Sequence, residues 1–283
     1  MYESKNLGRN RFNYFKQAMQ EAALNRVHLA NDLRVAIAEG QFVLHYQPII
    51  DLATGVISKA EALIRWNHPK HGLVGPADFI SIAEDTGLIV DIGEWVFRQA
   101  AVQAAHWRAL FNVTIQISVN KSPIQFRENV SRHQEWLDHL HGLGLKGDSI
   151  VVEITEGLLL DAKETINNEL LQYKDSGIQV SLDDFGTGYS SLSYLKKFDI
   201  DYLKIDQSFV RGLAPESNDL ALCEAIIVMA HKLGMKVIAE GIETEDQRDL
   251  LHSAHCDYGQ GYLFSKPVPA DQFEALLKPT FPI

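Results

Sequence analysis

Apolar and polar positions follow two alternating spacings from residue 77 to the end of the chain. Segments with apolar residues three and four positions apart are typical of helices, and they alternate with short apolar runs that are typical of buried strands. The predicted helices cover residues 77–85, 89–110, 130–142, 162–175, 191–197, 218–233 and 245–253, with a last one from residue 269. The predicted strands cover residues 113–120, 150–155, 179–184, 202–205, 236–239 and 258–263. This alternation predicts a parallel sheet that closes into a barrel.

The start of the sheet breaks the alternation. Two strands are predicted at residues 42–50 and 57–66, and only residues 51–55 separate them. A connection this short makes a hairpin, because a parallel neighbour needs a crossover of about a dozen residues or more. We therefore predict an α/β fold, a TIM-like (β/α)8 barrel with the first strand antiparallel to the rest. The length of 283 residues suits this fold, which typically takes about 250.

Charge and composition exclude some partners and places. The formal net charge is −11, and affinity for duplex DNA rests mainly on neutralisation of phosphates by Lys and Arg, so DNA is not an expected partner. No apolar run reaches the roughly 18 residues that span a bilayer, and the N-terminus lacks the apolar core of a signal peptide. The two cysteines, Cys223 and Cys256, show no paired spacing and are expected to be reduced. We expect a cytoplasmic protein, or the cytoplasmic part of a membrane-anchored one.

Polar side chains gather where the predicted strands end, which in a βα barrel is where chemistry takes place. A period of two puts Glu61, Leu63 and Arg65 on one face of the second strand. The third strand directs Asn120 inward, and the later strands end in Glu153, Asp183, Asp184, Lys204, Asp206 and Glu240. A single acid in such a place is more often a turn former or a helix cap. A group of acids at one mouth is not explained by turns and caps alone, because two like charges ~4 Å apart repel by about 4 kcal/mol at an effective dielectric near 20.

Such a cluster needs protons or cations. The set contains oxygen ligands and neither Cys nor His, which favours Mg²⁺ or Mn²⁺ over zinc. The adjacent pair Asp183 and Asp184 can serve two ions, and two ions about 3.5–4 Å apart are used for in-line attack on phosphodiesters. Gln260 stands between two glycines, where the backbone can bend closely around a ligand. These residues predict a divalent-metal barrel enzyme that acts on a phosphate ester.

Eight sequence blocks, in order and at matching spacing, resemble the EAL family of cyclic di-GMP phosphodiesterases. They are YQPI (46–49), EALIRW (61–66), SVN (118–120), EITE (153–156), DDFGTGYSSL (183–192), LKID (203–206), AEGIE (239–243) and GQGYLFSKP (259–267). The resemblance covers the chain from residue 30 to its end. It implies hydrolysis of cyclic di-GMP to linear 5′-pGpG with two Mg²⁺ or Mn²⁺ ions.

The resemblance also implies ion ligands. Glu61, Asn120, Glu153 and Asp183 would bind the first ion. Asp183 would bridge to the second ion, supported by Asp184 and, directly or through water, by Glu240.

Further roles follow from the same blocks. Lys204 would hold the attacking water, pair with a barrel carboxylate, or do both. Glu240 would be a general base or only an outer ligand, and Gln260 would orient water. Gln47, Leu63 and Arg65 would contact the substrate, and Glu156 would brace the DDFGTG loop.

The first residues resemble a different family. MYESKNLGRNRF is similar to the closing segment of a GGDEF (diguanylate cyclase) domain. We therefore expect a remnant of an upstream GGDEF-like domain over residues 1–15, a helical linker over 16–29, the EAL domain over 30–283, and regulatory domains upstream. In the helix predicted over 16–40, Leu29, Leu33, Ala36 and Ile37 share one face, and Gly40 stands where a C-terminal cap belongs.

Two other functions compete with an active enzyme. One is a catalytically silent EAL module that binds the dinucleotide and signals to a partner; silent members typically lose metal ligands or break the DDFGTG loop, and both are intact here. The other is a scaffold that neither binds nor cleaves, which the intact Gln47 and Arg65 argue against. Lys121 departs from the family pattern and is expected to affect the mouth of the site. Family members often dimerise through helices near the DDFGTG loop, so a homodimer is expected.

Overall fold

The computed structural model describes residues 17–113, 115–126, 133–160, 164–186, 195 and 198–278. Within them the strands are β1 (Phe42–Asp51), β2 (Ile57–His68), β3 (Gly72–Val74), β4 (Gln116–Asn120), β5 (Ile150–Thr155), β6 (Gln179–Phe185), β7 (Tyr202–Ile205), β8 (Lys236–Ala239), β9 (Tyr258–Gly259) and β10 (Val268–Pro269). The α-helices are α1 (Gln17–Ala36), α2 (Pro76–Thr86), α3 (Ile89–Phe111), α4 (His133–Gly142), α5 (Glu156–Leu160), α6 (Glu164–Ser176), α7 (Gln207–Val210), α8 (Asn218–Lys232), α9 (Glu245–Ser253) and α10 (Ala270–Leu277).

Eight strands close into a barrel. The sheet runs in the order β1-β2-β4-β5-β6-β7-β8-β9 and returns to β1. β1 is antiparallel to both of its barrel neighbours, whereas the pairs from β2–β4 to β8–β9 are parallel. The predicted barrel with an antiparallel first strand is confirmed. Two short strands that the sequence pattern did not predict, β3 and β10, extend the sheet beside β2 and β1.

Local chemistry reverses the chain between β1 and β2. The side chain of Asp51 accepts hydrogen bonds from the backbone N–H groups of Ala53 (3.1 Å) and Thr54 (2.8 Å), a turn pattern typical of Asp. Gly55 follows with a φ of 74°, in the left-handed region that glycine enters without a steric penalty. The hairpin is therefore encoded in the segment that separates its strands.

Alternate residues of each barrel strand face different surroundings. On β2, Ala60, Ala62, Ile64 and Trp66 are buried in the large core between barrel and helices, so the intervening residues point into the barrel. A separate apolar cluster occupies the barrel interior and consists of Ile49, Val151, Tyr202, Ile238 and Tyr258. On β5, β7, β8 and β9, the next interior position towards the carboxyl end of the strand is polar. The sheet thus carries a ring of polar side chains above an apolar layer.

The predicted N-terminal helix is shorter in the structure. It ends at Ala36, and Gly40 has the expected left-handed φ of 63° but lies in a turn beyond the helix. Leu33 and Ala36 are fully buried and Leu29 and Ile37 are half-buried, so the predicted apolar face is confirmed. The helix runs without a break across the expected boundary between linker and domain at residue 29. The expected GGDEF remnant over 1–15 lies outside the described residues.

Three later predictions have different outcomes. The helix predicted over 162–175 is found as α6, and the short helix α5 before it was not predicted; residues 161–163 between the two lie outside the described part. The helix predicted over 191–197 falls almost wholly outside it as well. The strand predicted over 258–263 is wrong in length, since β9 stops at Gly259.

β9 ends early because one loop residue forms hydrogen bonds with the backbone that follows the strand. Ile242 donates its N–H to the carbonyl of Gln260 (3.0 Å) and accepts from the N–H of Leu263 (3.0 Å). Those two backbone groups are then not available to a neighbouring strand.

In the described part of the chain, no helix is both long and apolar enough to cross a membrane.

Candidate functional site

Lys204 stands at the centre of a carboxylate cluster at the carboxyl ends of the barrel strands. It is 1% exposed, and its Nζ lies 2.6 Å from Glu240, 2.9 Å from Glu153, 3.4 Å from Asp183 and 3.5 Å from Glu61. Burial by itself lowers the pKa of Lys204, but the surrounding carboxylates outweigh it and raise that pKa well above its ordinary value. The structure therefore brings together four of the predicted site residues around one buried ammonium.

Amide side chains hold Glu61 from the other side. Its carboxylate accepts hydrogen bonds from Asn120 (2.8 Å) and Gln260 (2.7 Å). Burial raises the pKa of Glu61, but Lys204 and these two amides more than offset it, so the pKa lies below its usual range. Gln260 also donates to Gln47 (3.0 Å), which makes both glutamines part of the same network.

Three other carboxyl groups of the cluster are easier to protonate. Burial is the largest cause in each case, and neighbouring carboxylates add to it while Lys204 opposes it. The pKa of Glu240 is raised to about 7, that of Glu153 well above its ordinary value, and that of Asp184 is raised as well. One buried lysine does not neutralise this many acids.

The cluster has unused ligand capacity. Oxygens of Asp183, Asp184 and Glu240 all lie within 4.8 Å of one another. The Oε1 atoms of Glu153 and Gln260 are buried without a hydrogen-bond partner among the described residues, although buried acceptors are normally satisfied. A donor set of this kind, made of carboxylate and amide oxygens, suits hard divalent cations. The residues present therefore fit one or more ions such as Mg²⁺ or Mn²⁺.

A bend at the end of β6 directs its two aspartates differently. Asp184 has a φ of 55°, in a left-handed conformation that Asp tolerates better than most residues. Its N–H donates to the side chain of Asp183 (3.0 Å), and the pairing of β6 with β7 shifts between Leu182 and Phe185. The bend leaves Asp183 half-buried beside Lys204 and Asp184 exposed.

Glu156 reaches the base of the DDFGTG loop. Its side chain accepts a hydrogen bond from the N–H of Gly186 (3.3 Å), while the rest of the loop, from residue 187 to 194, lies outside the described residues. Gly186 has a φ of 97°, and a Cβ there would lie 2.8 Å from the ring of Phe209. Glycine is therefore required at this corner on two grounds, backbone conformation and space.

A cleft of about 430 Å³ opens beside the cluster. Among the predicted site residues, its lining includes Gln47, Glu61, Leu63, Glu240 and Gln260. The sequence reasoning missed four more lining residues with polar side chains, which are Gln207, Arg211, Glu243 and Tyr262; Gly241 and Gly261 also line the cleft. Glu243 and Tyr262 stand inside the AEGIE and GQGYLFSKP blocks, so the blocks contained the signal for these two. For the other pair, the only signal was their position just after the LKID strand.

Arg65 lies beside this cleft and is not part of its lining. Its guanidinium donates to the carbonyl of Ile64 (2.9 Å). Burial lowers its pKa, while Glu61 and Tyr262 act against that change. Its contact with a substrate therefore remains a prediction.

One expectation about a neighbouring residue is corrected. Lys121 does not reach the mouth of the site; it is buried, it forms an ion pair with Glu169, and its Nζ donates to the hydroxyl of Tyr173 (2.6 Å). It follows Asn120 on the strand and so points to the opposite face, into the helices. Asp206 stands directly after β7, as predicted, acts electrostatically on Asp184, and caps α7 by accepting from the N–H of Ser208 (2.9 Å).

The glycines around Gln260 serve the protein backbone. A Cβ on Gly261 would overlap the backbone of Ile242, and a Cβ on Gly259 would lie 2.7 Å from the side chain of that isoleucine. The close approach inferred from the sequence is therefore observed, and it is made to Ile242.

Known proteins share this architecture. Residues 30–267 match the family model described as EAL domain. The bifunctional diguanylate cyclase/cyclic di-GMP phosphodiesterase MucR of Pseudomonas aeruginosa is 39% identical over 97% of this chain and 40% of its own length. The cyclic di-GMP phosphodiesterase PdeR of Escherichia coli is 39% identical over 98% of this chain and 42% of its own. The chain thus spans less than half the length of these curated relatives.

A solved structure agrees with the sequence match. The structure of the PaMucR phosphodiesterase in complex with c-di-GMP is 39% identical, with a TM-score of 0.79 over 87% of this chain and 99% of that one. The family match covers most of the chain, and the fold and the strand-end carboxylates agree with it. The chain belongs to the EAL domain family.

Proposed function

We propose that this chain hydrolyses cyclic di-GMP to linear 5′-pGpG with the help of two Mg²⁺ or Mn²⁺ ions. The observation that carries the proposal is the cluster of carboxylates around Lys204, with unsatisfied ligand oxygens on Glu153 and Gln260. Relatives named as cyclic di-GMP phosphodiesterases support the choice of substrate.

The ligands divide between two ions in this proposal. Glu61, Asn120, Glu153 and Asp183 hold the first, and Asp183, Asp184 and Glu240 hold the second; the proximity of the last three oxygens supports the second set. When bound, divalent cations lower the pKa of coordinated water and offset negative charge on the phosphate.

The chain's own groups then serve the displacement. Water attacks phosphorus, the bond from phosphorus to the 3′ oxygen breaks, and that oxygen takes a proton from solvent as it leaves, which balances the proton that the attacking water gives up. The carboxylate of Glu240, which lies beside Asp183 and Asp184, accepts the proton of the attacking water as a general base. Lys204, 2.6 Å from Glu240, orients the water and stabilises negative charge. The free Oε1 of Gln260 accepts a hydrogen bond from the same water.

The substrate occupies the cleft beside the cluster. Gln47 and Leu63 line it, and we assign Arg65 to a phosphate oxygen, which its planar fork can bind through two hydrogen bonds. Arg211, which lines the same cleft, supplies a second positive charge. Glu156 keeps the DDFGTG loop in place through Gly186.

The test is hydrolysis of cyclic di-GMP by the purified chain with Mg²⁺ or Mn²⁺, followed by chromatography of the product. We expect metal-dependent formation of pGpG that is abolished by a chelator and by Glu61→Ala. Glu39→Ala, an exposed acid outside the cleft, is the matched control and retains full activity. Tight binding of cyclic di-GMP without cleavage would favour the silent receptor module, and the absence of both would refute the two functions together.

We also propose a homodimer that buries the outer face of α8. Leu222, Ala225 and Val228 on this face are exposed, Leu222 by 47% and Val228 by 58%. α8 follows α7, whose Phe209 lies next to Gly186 at the base of the DDFGTG loop. An apolar helix face of this kind is typical of an interaction surface. Dimerisation there would place the interface close to the ion ligands of β6.

A further inference from the structure

A second polar cavity lies at the N-terminal ends of the barrel strands, opposite the carboxylate cluster. Its volume is about 550 Å³, within the range of small-molecule sites. The charged residues that line it are Lys59, Arg108, Lys146 and Asp148. Three of these four are cations, although the chain as a whole carries a formal net charge of −11. The cavity is therefore a local positive region in an acidic protein.

Lys59 is the buried cation of this cavity, with an exposure of 7%. Its Nζ donates to Gln116 Oε1 and to the hydroxyl of Tyr202 (2.9 Å), and lies 4.3 Å from the centroid of the tyrosine ring. Both acceptors are neutral, and within the described ranges no carboxylate lies at ion-pair distance from it. An ammonium carries three protons, and a buried charge without a counter-ion is costly. One N–H of Lys59 is therefore left for an anion.

The neighbours of Lys59 are fixed by their own hydrogen bonds. Gln116 donates to the carbonyl of Asp148 (2.7 Å) and to Gln179 (2.5 Å), and Tyr202 donates to Gln179 (3.1 Å). These bonds leave the side chains no freedom to turn away from Lys59. The ammonium is held in one position before any ligand arrives, which lowers the entropic cost of binding.

The nearby negative charge is already engaged. Asp201 acts electrostatically on Lys59, but its carboxylate accepts from the N–H of Val180 (2.8 Å) and from Gln179 (3.3 Å). Lys236 adds a further positive charge close to Lys59. Asp148 adds a second carboxylate, but Arg108 and Lys146 bring the cations to four, so the balance around the ammonium is positive.

The cavity holds a second cation beside Lys59. Arg108 also lines it, and one of its nitrogens donates to the carbonyl of Gly144 at the rim. Its remaining N–H groups form a fork suited to an oxyanion.

We propose that this cavity binds the phosphate group of a small anion, either free phosphate or a phosphomonoester, between Lys59 and Arg108. Phosphate matches the site because it is doubly charged and offers several acceptor oxygens to donors that lie around it. The volume leaves room for a substituent on the phosphate. The site is distinct from the cluster around Lys204, and it does not depend on the activity proposed for that cluster.

Isothermal titration calorimetry of the full chain tests the proposal, with inorganic phosphate and, separately, adenosine 5′-monophosphate as probes. EDTA in the buffer prevents metal-bound phosphate at the other end of the barrel. We expect saturable binding at one site per chain. Lys59→Met should weaken the affinity about tenfold or more, since hydrogen bonds to charged groups supply most of the binding free energy. Lys232→Met, at an exposed lysine of α8, is the matched control and leaves the affinity unchanged.

The two probes separate the possible sources of the phosphate. Equal affinities indicate free phosphate, and tighter binding of the nucleotide indicates a phosphomonoester; either result supports the proposal. Arg108→Gln, at an exposed position, gives a folded second variant if Lys59→Met proves unstable, and it too must weaken binding. Absence of saturable binding of both probes at millimolar concentration overturns the proposal, as does binding that either Arg108→Gln or a folded Lys59→Met leaves unchanged.

Discussion

Replacing Lys204 by methionine tests whether the ammonium holds the carboxylate cluster together without metal. Methionine keeps much of the length and apolar character of the stem, so the main change is the loss of one buried positive charge. Four carboxylates within 3.5 Å of Nζ then face one another without it. We expect the variant to fold but to be strongly destabilised in EDTA.

The distances set the scale of the effect. At 2.6 to 3.5 Å, each attraction amounts to roughly 5–6 kcal/mol at an effective dielectric near 20. Desolvation of the buried ammonium and repulsion among the acids oppose most of that sum. Removal of one partner from a buried ion pair costs about 3–5 kcal/mol in practice. We therefore expect Lys204→Met to lower the free energy of unfolding by about 3–5 kcal/mol at pH 8.

The loss should shrink at lower pH. The pKa of Glu240 is raised to about 7 in the folded protein. Its ionisation therefore destabilises the fold as the pH rises from the ordinary pKa of a glutamate through 7. At pH 5 more of the cluster is protonated, and Lys204 has less negative charge to offset. The difference between Lys204→Met and the unmodified chain is therefore smaller at pH 5 than at pH 8.

Urea denaturation followed by circular dichroism, in EDTA at pH 5 and pH 8, measures both quantities. Lys232→Met is the control and should change the free energy of unfolding by less than about 0.5 kcal/mol, as surface substitutions usually do. A Lys204→Met variant as stable as this control at pH 8 would refute the reasoning. A loss that stays constant between the two pH values would show that packing, and not charge, explains it.

Three more substitutions have defined outcomes. Gly261→Ala forces a Cβ onto neighbouring backbone and should lower the melting temperature by an amount equivalent to about 1–3 kcal/mol. Gly142→Ala, with open space around the glycine, is the control and should not lower it. Equal melting temperatures for the two variants would contradict this prediction. Lys121→Met removes a buried ion pair and should cost about 3–5 kcal/mol in urea denaturation while kcat for cyclic di-GMP stays within about twofold, and a stable variant with a large fall in kcat would instead place the lysine at the site. Val228→Glu should convert a dimer to a monomer in light scattering, whereas Val27→Glu, at an equally exposed valine of α1, should not, and a dimer in both would exclude the α8 face.

Much of the site could be predicted from the sequence because the barrel brings the ends of its strands together, so the pattern within each strand indicates which residues meet. Strand periodicity assigned Glu61 to the interior, and the position of Glu153 at the end of its strand was sufficient to place it at the carboxyl mouth. Parallel strands bring their ends to one edge, so residues far apart in sequence had to meet. The short turn at Asp51 likewise determined the antiparallel first strand, since its bonds are made within the turn itself.

Other features depended on tertiary packing. The sequence places Lys121 next to Asn120, but only the helices packed on the outside of the barrel show that its ammonium lies with Glu169. The early end of β9 also depended on tertiary packing, because it requires Ile242 to form hydrogen bonds with the backbone of the loop that follows β9.

What the sequence by itself determined were periodicities and turns, which are interactions between residues close along the chain: the strands and helices, the hairpin at Asp51, and the interior positions of Glu61 and Glu153. The tertiary structure decided where charges meet. Lys59 and Lys204 are both interior lysines on barrel strands, yet one lies among four carboxylates and the other among neutral acceptors. The physical reason is that a charge is stabilised by whichever groups surround it in space, and distant strands of the closed barrel supply those groups.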